Sequence, residues 1–366
     1  MSQTFASRVL IIPSAVFLSV VFGGSYGTGR EVMEFVSQHG PKSGVLALAS
    51  VSFTYGVLLF LCFEISRRFQ QFEYRGFFKP ILGRAWVLYE VVILIGMVIT
   101  LAICVTAAGV ISESRFGFPP WVGSAGLLLI IFLLNYRGRH LVQKSMVFSV
   151  GALFCVLVAL LFVLFNGHTQ PIVDNFRGDE VDWSAWQGGM QYALVNGGFI
   201  PLLLYCGRGL QSRGQSLLAG SVAALVAVIP GAVFHYAFMS AWPAIKDQEL
   251  PTYWLIDHLA SPMFLNVYVV VLFVLIAQTG VGMLQGFLER MDAWRIQREG
   301  EPLSPLGHGV VAVGMVLVSM LLSRIGIVAL ILTGYSILAM AFIVVFVIPL
   351  VTRGVYLVFR SERQQT

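Results

Sequence analysis

Apolar stretches of about twenty residues recur along the chain, and the short polar segments between them hold most of its charge. A helix rises 1.5 Å per residue, so about twenty apolar residues cross the roughly 30 Å hydrocarbon core of a bilayer. Inside lipid each backbone N–H and C=O must pair within its own segment, which makes such stretches helical. The pattern predicts helices over 9–39, 42–65, 86–112, 120–135, 143–166, 185–209, 215–241, 262–290, 305–322 and 325–352. The fold class expected is therefore all-α membrane protein with ten transmembrane helices. The connecting segments are too short to form a separate soluble domain.

The charges set the topology. One set of loops holds Arg67, Arg68, Arg75, Lys79 and Arg84, then Arg137, Arg139 and Lys144, then Arg208 and Arg213, then Arg290, Arg295 and Arg298. With Arg8, Arg353, Arg360 and Arg363, that face carries about 17 of the 23 Lys and Arg. By the positive-inside rule it is cytoplasmic, with both termini inside a cell (inner or cytoplasmic) membrane. The opposite loop 167–184 agrees, with Asp174, Asp179, Glu180 and Asp182 against Arg177. Residues 242–261, with Trp242, Pro243, Pro251, Tyr253 and Trp254, read as an outer cap or an interfacial loop.

Composition narrows the function. The chain is 57% hydrophobic and 11% charged, against roughly 25% charged in a soluble domain, so lipid is a partner of much of its surface. The net charge of +5 sits beside apolar segments, which points to topology and not to nucleic acid. The first apolar run lacks a small-x-small cleavage site and continues into a helical pattern, so it reads as a span and not a signal peptide. Cys62, Cys104, Cys155 and Cys206 lie in or at the ends of apolar runs and read as small core residues. The six histidines are scattered, with no His-x-x-x-His pair, and there is no Gly-x-Ser-x-Gly elbow. An enzyme is not expected.

Two helices are interrupted. The first reads Gly23-Gly24-Ser25-Tyr26-Gly27-Thr28-Gly29-Arg30-Glu31, with four glycines in seven residues. Each costs about 1 kcal/mol in a helix interior relative to Ala. Close helix packing would explain pairs of these glycines but does not need the whole cluster, so an unwound segment is predicted. The sixth reads Asn196-Gly197-Gly198-Phe199-Ile200-Pro201. Pro201 suits the start of a second half-helix, and a proline kink is the plainer alternative. The breaks lie five helices apart, so residues 1–166 and 167–352 read as inverted five-helix repeats, with 353–366 as a cytoplasmic tail. Paired interruptions of this kind mark the midplane site of a secondary transporter.

The stretch Gly-Gly-Ser-Tyr-Gly-Thr-Gly-Arg-Glu-Val-Met-Glu-Phe from Gly23 to Phe35 resembles the first helix of the YkvI-like bacterial membrane proteins. In those proteins a Gly-rich segment leads into Thr-Gly-Gln-Glu; here Arg30 stands at the Gln position. More distantly, the pattern is similar to the amino acid–polyamine–organocation superfamily, which implies a five-plus-five inverted-repeat (LeuT-type) fold.

Half-helices beginning near Thr28 and Phe199 offer positive ends to an anionic group. Carbonyls around Phe22–Gly24 and Val195–Asn196 suit a cation or ammonium group. The expected substrate is a small zwitterionic or anionic metabolite, amino-acid-like. Its candidate binding residues are Gly23, Gly24, Ser25, Tyr26, Gly27, Thr28, Arg30, Asn196, Gly197, Gly198 and Phe199. Ionisable groups at membrane depth cost about 2.5–3.5 kcal/mol, which singles out Arg30, Glu31 and Glu34 as an outer gate, a substrate contact or a set snorkelling outward. The resemblance implies an arginine–acid gate to helix 10, but 325–352 holds no Asp or Glu. His235 reads as a core histidine, with a proton relay as the alternative.

No cofactor is expected beyond a coupling cation. In sodium-coupled LeuT-type carriers a cation lies between helix 8 and unwound helix 1; the positions here are Thr279, Ala277, Gly23 and Gly24. The rival is a proton carried by a helix 5 lysine, for which Lys144 lies too near the surface. A receptor or scaffold that binds without moving its ligand is the alternative function, as is a channel. The oligomeric state is left open.

Overall fold

The computed structural model describes residues 4–22, 24–137 and 139–358, which are almost entirely helical. After a π-helical turn at Ser7–Ile11 come α1 (Ile12–Val21), α2 (Gly24–Gly27) and α3 (Arg30–Phe35). Next are α4 (Pro41–Phe69), α5 (Tyr74–Leu82), α6 (Trp86–Phe116), α7 (Pro120–Arg137), α8 (Arg139–Phe165) and α9 (Thr169–Gly178). The second half holds α10 (Ser184–Gly197), a 3₁₀ stretch Ile200–Gly209, α11 (Arg213–Phe238), α12 (Pro251–Leu259), α13 (Pro262–Glu299) and α14 (Pro305–Ser323). The last, α15 (Ile327–Val358), contains several π turns.

All ten expected segments are helical. Six helices among the described residues are long and apolar enough to cross a membrane uninterrupted, and a seventh counts if Gly151–Phe165 is joined to Thr169–Gly178, which bends away by 82°. The other three are the two interrupted passes and α7, whose described apolar part is the shorter Pro120–Ile131. The chain is a multi-pass membrane protein.

Local chemistry sets the boundaries. The hydroxyls of Ser212, Ser261 and Ser304 accept from the N–H of Gln215, Phe264 and Gly307, capping α11, α13 and α14. Asp179 performs the same service across space, accepting from the Lys42 N–H at 2.6 Å where α4 begins. The segments between the spans contain helices of their own. In 66–85, α5 buries Phe77, Phe78 and Ile81 on one face and exposes Lys79 on the other. α9 lies in 167–184 and α12 in the cap.

Close packing of small residues assembles the bundle. α4 lies against both α10 and α11; a Cβ on Gly189 would fall 2.2 Å from the Ala47 carbonyl oxygen, and one on Gly220 2.8 Å from the Phe60 nitrogen. Such approach is how helices gain contact where lipid is as apolar as they are. α6 packs on α7, α13 and α14, with the Ser124 hydroxyl donating to Val105 O at 3.0 Å. Large side chains such as Val158, Phe162, Leu321 and Met340 are exposed on outer faces, as a lipid-facing surface requires.

Candidate functional site

Helix 1 breaks where its glycines fall. α1 ends at Phe22, whose ψ of 56° leaves the helical region. Gly23 lies outside the described residues, and nothing is described of the Ser25 side chain. α2 is a single turn, and Gly29 then takes φ +79°, a left-handed conformation natural only to glycine. The carbonyls freed by the turn are met from two directions. The Tyr268 hydroxyl on α13 donates to Gly27 O at 2.6 Å, and the Thr252 N–H of the cap donates to Thr28 O at 3.1 Å. The Thr28 hydroxyl accepts from the Arg30 N–H at 3.2 Å.

Helix 6 tightens instead of unwinding. The Gly198 N–H reaches Leu194 O and Val195 O, the Phe199 N–H reaches Asn196 O, and the chain runs on as 3₁₀ helix through Pro201. Gly198 keeps right-handed torsions, and its carbonyl accepts from the Tyr89 hydroxyl of α6 at 2.9 Å. A Cβ there would lie 2.4 Å from the Phe342 ring, which also meets Phe199 edge-on at 5.8 Å. Asn196 donates back to Tyr192 O at 3.3 Å. The N–H groups at Arg30 and Phe199, expected to be open to an anion, are thus satisfied by the chain itself in this sealed arrangement.

Tyr26 turns into the bundle. Its ring meets Phe22 at 4.7 Å, Tyr192 at 6.1 Å and Phe234 at 6.2 Å, beside a narrow slot also lined by Tyr55, Leu48 and Gly231. The hydroxyls of Tyr55 and Tyr192 are buried there without a geometrically formed hydrogen bond; Tyr55 nevertheless lies within reach of Tyr192 and Asn196.

Arg30 is 8% exposed, so it does not snorkel to water. Its guanidinium donates to Lys246 O at 3.1 Å, to Gln248 O at 2.9 Å and to the Glu34 carboxylate. It therefore pins the cap over the break. At the opposite end, Arg8 donates to Gln211 Oε1 at 3.3 Å, Arg67 to Gln211 O at 3.5 Å and Arg68 to Val358 O at 2.7 Å.

Two of the candidate cation residues, Ala277 and Thr279, sit on α13. Thr279 Oγ1 donates to Leu275 O at 3.1 Å, and Ala277 is buried. Leu272 and Leu275 of the same helix flank Gly27, which places Thr279 about a turn further toward the Phe22 end of the break. His235 is fully engaged, with Ser37 Oγ at 2.9 Å and Pro41 O at 2.8 Å. Sequence reasoning missed Tyr89, Tyr268 and Tyr335, the last of which donates to Glu31 Oε1 at 2.6 Å. Their one signal is a phenol inside an apolar run.

Outside the spans, burial lowers the His39 imidazole below its ordinary range, against the pull of Asp182. Asp182 in turn is held low by hydrogen bonds from Ser184.

No known protein family matches the chain, and no curated protein does. Solved structures do. MhsT in complex with L-phenylalanine superposes with a TM-score of 0.60 at 17% identity, over 97% of this chain and 88% of that one. A manganese transporter of Eremococcus coleocola gives a TM-score of 0.61 at 13% identity, over 95% of this chain and 80% of that one. A Na⁺-coupled sialic acid symporter in a substrate-bound outward-open state gives 0.52 at 13% identity, over 96% and 87%. The fold is therefore LeuT-like, ten helices with the first and sixth interrupted, and these neighbours are transporters rather than enzymes.

Proposed function

We propose that the chain is a secondary active transporter of a small zwitterionic or anionic, amino-acid-like metabolite, working by alternating access around the helix 1 and helix 6 breaks. The observation that carries this reading is the pair of breaks in helices 1 and 6 of a LeuT-like bundle, with Arg30 bonded to carbonyls of the cap beside the first. In this reading Gly23–Thr28, Arg30 and Asn196–Phe199 hold the substrate. The N–H groups now satisfied by Thr28 Oγ1 and Asn196 O are released to it as the site opens. Kinship with the YkvI-like proteins and an inside location of both termini belong to the same proposal.

A coupling cation fits the Na⁺-coupled neighbour in kind. In this reading Thr279 Oγ1, with carbonyls of Ala277 and the Gly23–Gly24 segment, would supply the hard oxygen donors that a hard cation takes. The test begins with a thermal-shift screen of the purified protein against a metabolite library, since a ligand raises stability by mass action. Hits are then assayed for uptake into proteoliposomes under a sodium gradient and under a pH gradient. Saturable, gradient-driven uptake of a bound metabolite is expected. Binding without accumulation would favour a receptor or scaffold instead, and flux at channel rates would also defeat the proposal.

A further inference from the structure

A groove runs along the outside of the bundle between α6, α7 and α13. It has a volume of about 380 Å³, and its lining includes Ala108 and Phe116 of α6, Gly123 and Gly126 of α7, and Val270 and Phe273 of α13. Phe116 and Val270 are 61% and 62% exposed, so its mouth faces the hydrocarbon of the bilayer. Its two glycines differ. A Cβ on Gly123 would lie 2.2 Å from the Ala108 carbonyl oxygen, whereas one on Gly126 would meet nothing within 4 Å. Packing within the chain therefore calls for the first glycine and not the second, which leaves the groove floor open. The stretch of α13 that borders the groove, 269–274, lies about 10–18 Å along the helix from Pro262 at 1.5 Å per residue. The hydrocarbon of one leaflet is about 15 Å deep.

The end of the groove nearest the cap is polar and basic. Phe116 lines the groove, and the residue before it, Arg115, is half-buried in the last turn of α6. Arg115 Nη2 donates to Asn266 Oδ1 near the start of α13. Tyr253 of α12 completes the group: it lies within hydrogen-bonding reach of Arg115, and its hydroxyl donates to Ser114 O at 3.5 Å. Asn266 and Tyr253 are uncharged, so neither neutralises the guanidinium, and the nearby acids Glu113 and Asp257 are exposed. A guanidinium flanked by an amide and a phenol is a donor set suited to a phosphate, whose oxygens accept parallel N–H bonds from arginine.

We propose that this groove binds an anionic glycerophospholipid. One acyl chain lies along Phe116, Gly126 and Phe273, and the phosphate sits on Arg115, Asn266 and Tyr253. The basic rim selects the headgroup, and the apolar part matches the depth of one leaflet. A free phosphate or a soluble metabolite lacks half of that contact. Tyr253 belongs to the cap and Arg115 to α6, so the lipid joins the two. Bound lipid thereby holds α12 beside the helix 1 break, where the Thr252 N–H meets Thr28 O. The site does not depend on the transporter reading, and its test needs no transported substrate.

The purified full-length protein in neutral detergent is titrated with dioleoylphosphatidylglycerol or dioleoylphosphatidylcholine and followed by native mass spectrometry and melting temperature. Phosphatidylglycerol should be retained about tenfold more tightly than phosphatidylcholine, as expected for one charge-assisted hydrogen bond, and should raise the melting temperature. Arg115→Gln should bring the two lipids level. Gly126→Leu, which fills the groove floor, should weaken retention with Arg115 intact. Glycerophosphoglycerol, the headgroup without its chains, should not bind detectably. Equal retention of the two lipids by wild type, or an unchanged preference in Arg115→Gln, overturns the proposal and leaves annular lipid only. Unchanged retention in Gly126→Leu overturns it as well. Binding of glycerophosphoglycerol as tight as that of the lipid would make this a site for free phosphate esters and also overturn it. Should Gly126→Leu not fold, Val270→Trp at the mouth decides: weakened retention supports the proposal and unchanged retention overturns it.

Discussion

Gly29→Ala probes the contact between the helix 1 break and the cap directly. At φ +79° a Cβ would lie 2.2 Å from Thr252 Oγ1 and 2.6 Å from Phe238 Cζ. The left-handed torsion itself costs about 1–2 kcal/mol for an L side chain, in any state that keeps the turn. The clash with the cap adds about 1–3 kcal/mol of overpacking, and only while the cap is closed. The second term therefore shifts the balance toward the open state by roughly five- to 150-fold, at about 1.4 kcal/mol per tenfold. The assay is maleimide labelling of Leu250→Cys, a buried position where α12 begins, in substrate-free proteoliposomes. Labelling should accelerate in Gly29→Ala, and Thr252→Ala added to it should restore part of the protection by removing the nearer clash. An unchanged rate together with an unchanged melting temperature would refute the argument, since it would mean that neither the torsion nor the contact constrains the site.

Three further outcomes are expected. Arg30→Ala should destabilise the closed protein by about 3–5 kcal/mol, because it leaves Glu34 buried without its guanidinium, whereas Arg30→Gln should lose less; melting temperatures of the two variants check the order. Tyr89→Phe removes the donor to Gly198 O and should cost about 1–3 kcal/mol at a buried carbonyl, read as a lower melting temperature without loss of expression. His39 has a folded-state pKa depressed first by burial, so the unfolded chain binds the extra proton; stability is full above about pH 6.5 and falls below it, and melting curves of His39→Gln should show a weaker acid dependence than wild type.

The ten passes were legible because length and apolarity alone define a span, and the Gly clusters located both breaks. What the clusters could not show is how each break is finished. Gly29 lies where a left-handed turn is required, whereas Gly198 keeps right-handed torsions and serves close contact with Phe342. Both read alike in sequence. α5, α9 and α12 are nine or ten residues long, too short to stand out from the polar loops that hold them. The donors that complete the site were hidden for another reason: Tyr89 and Gly198 are 109 positions apart, and Tyr268 and Gly27 are 241 apart. The contact between helices 1 and 10 shows the same limit. An arginine on helix 1 prompts a search for an acid on helix 10, but the chain puts the acid, Glu31, on helix 1 and answers it with Tyr335.

In the proposed cycle, that division of donors sets how the site would open. The Gly27 carbonyl is held by Tyr268 on a long helix of the bundle, while the Thr28 carbonyl is held by the Thr252 N–H of the cap. Lifting the cap breaks the second bond and leaves the first. A carbonyl that loses a donor at this depth costs about 1–3 kcal/mol if it stays dry, but water entering with the cap's departure can replace Thr252 at little net cost. The same water reaches Arg30 as its two carbonyl partners leave. In the proposed cycle, opening is thus inexpensive only when water enters with it. A cap that lifted without admitting water would take the Thr252 N–H from Thr28 O and both carbonyl partners from Arg30 together, so the proposed cycle is expected to disfavour partial opening.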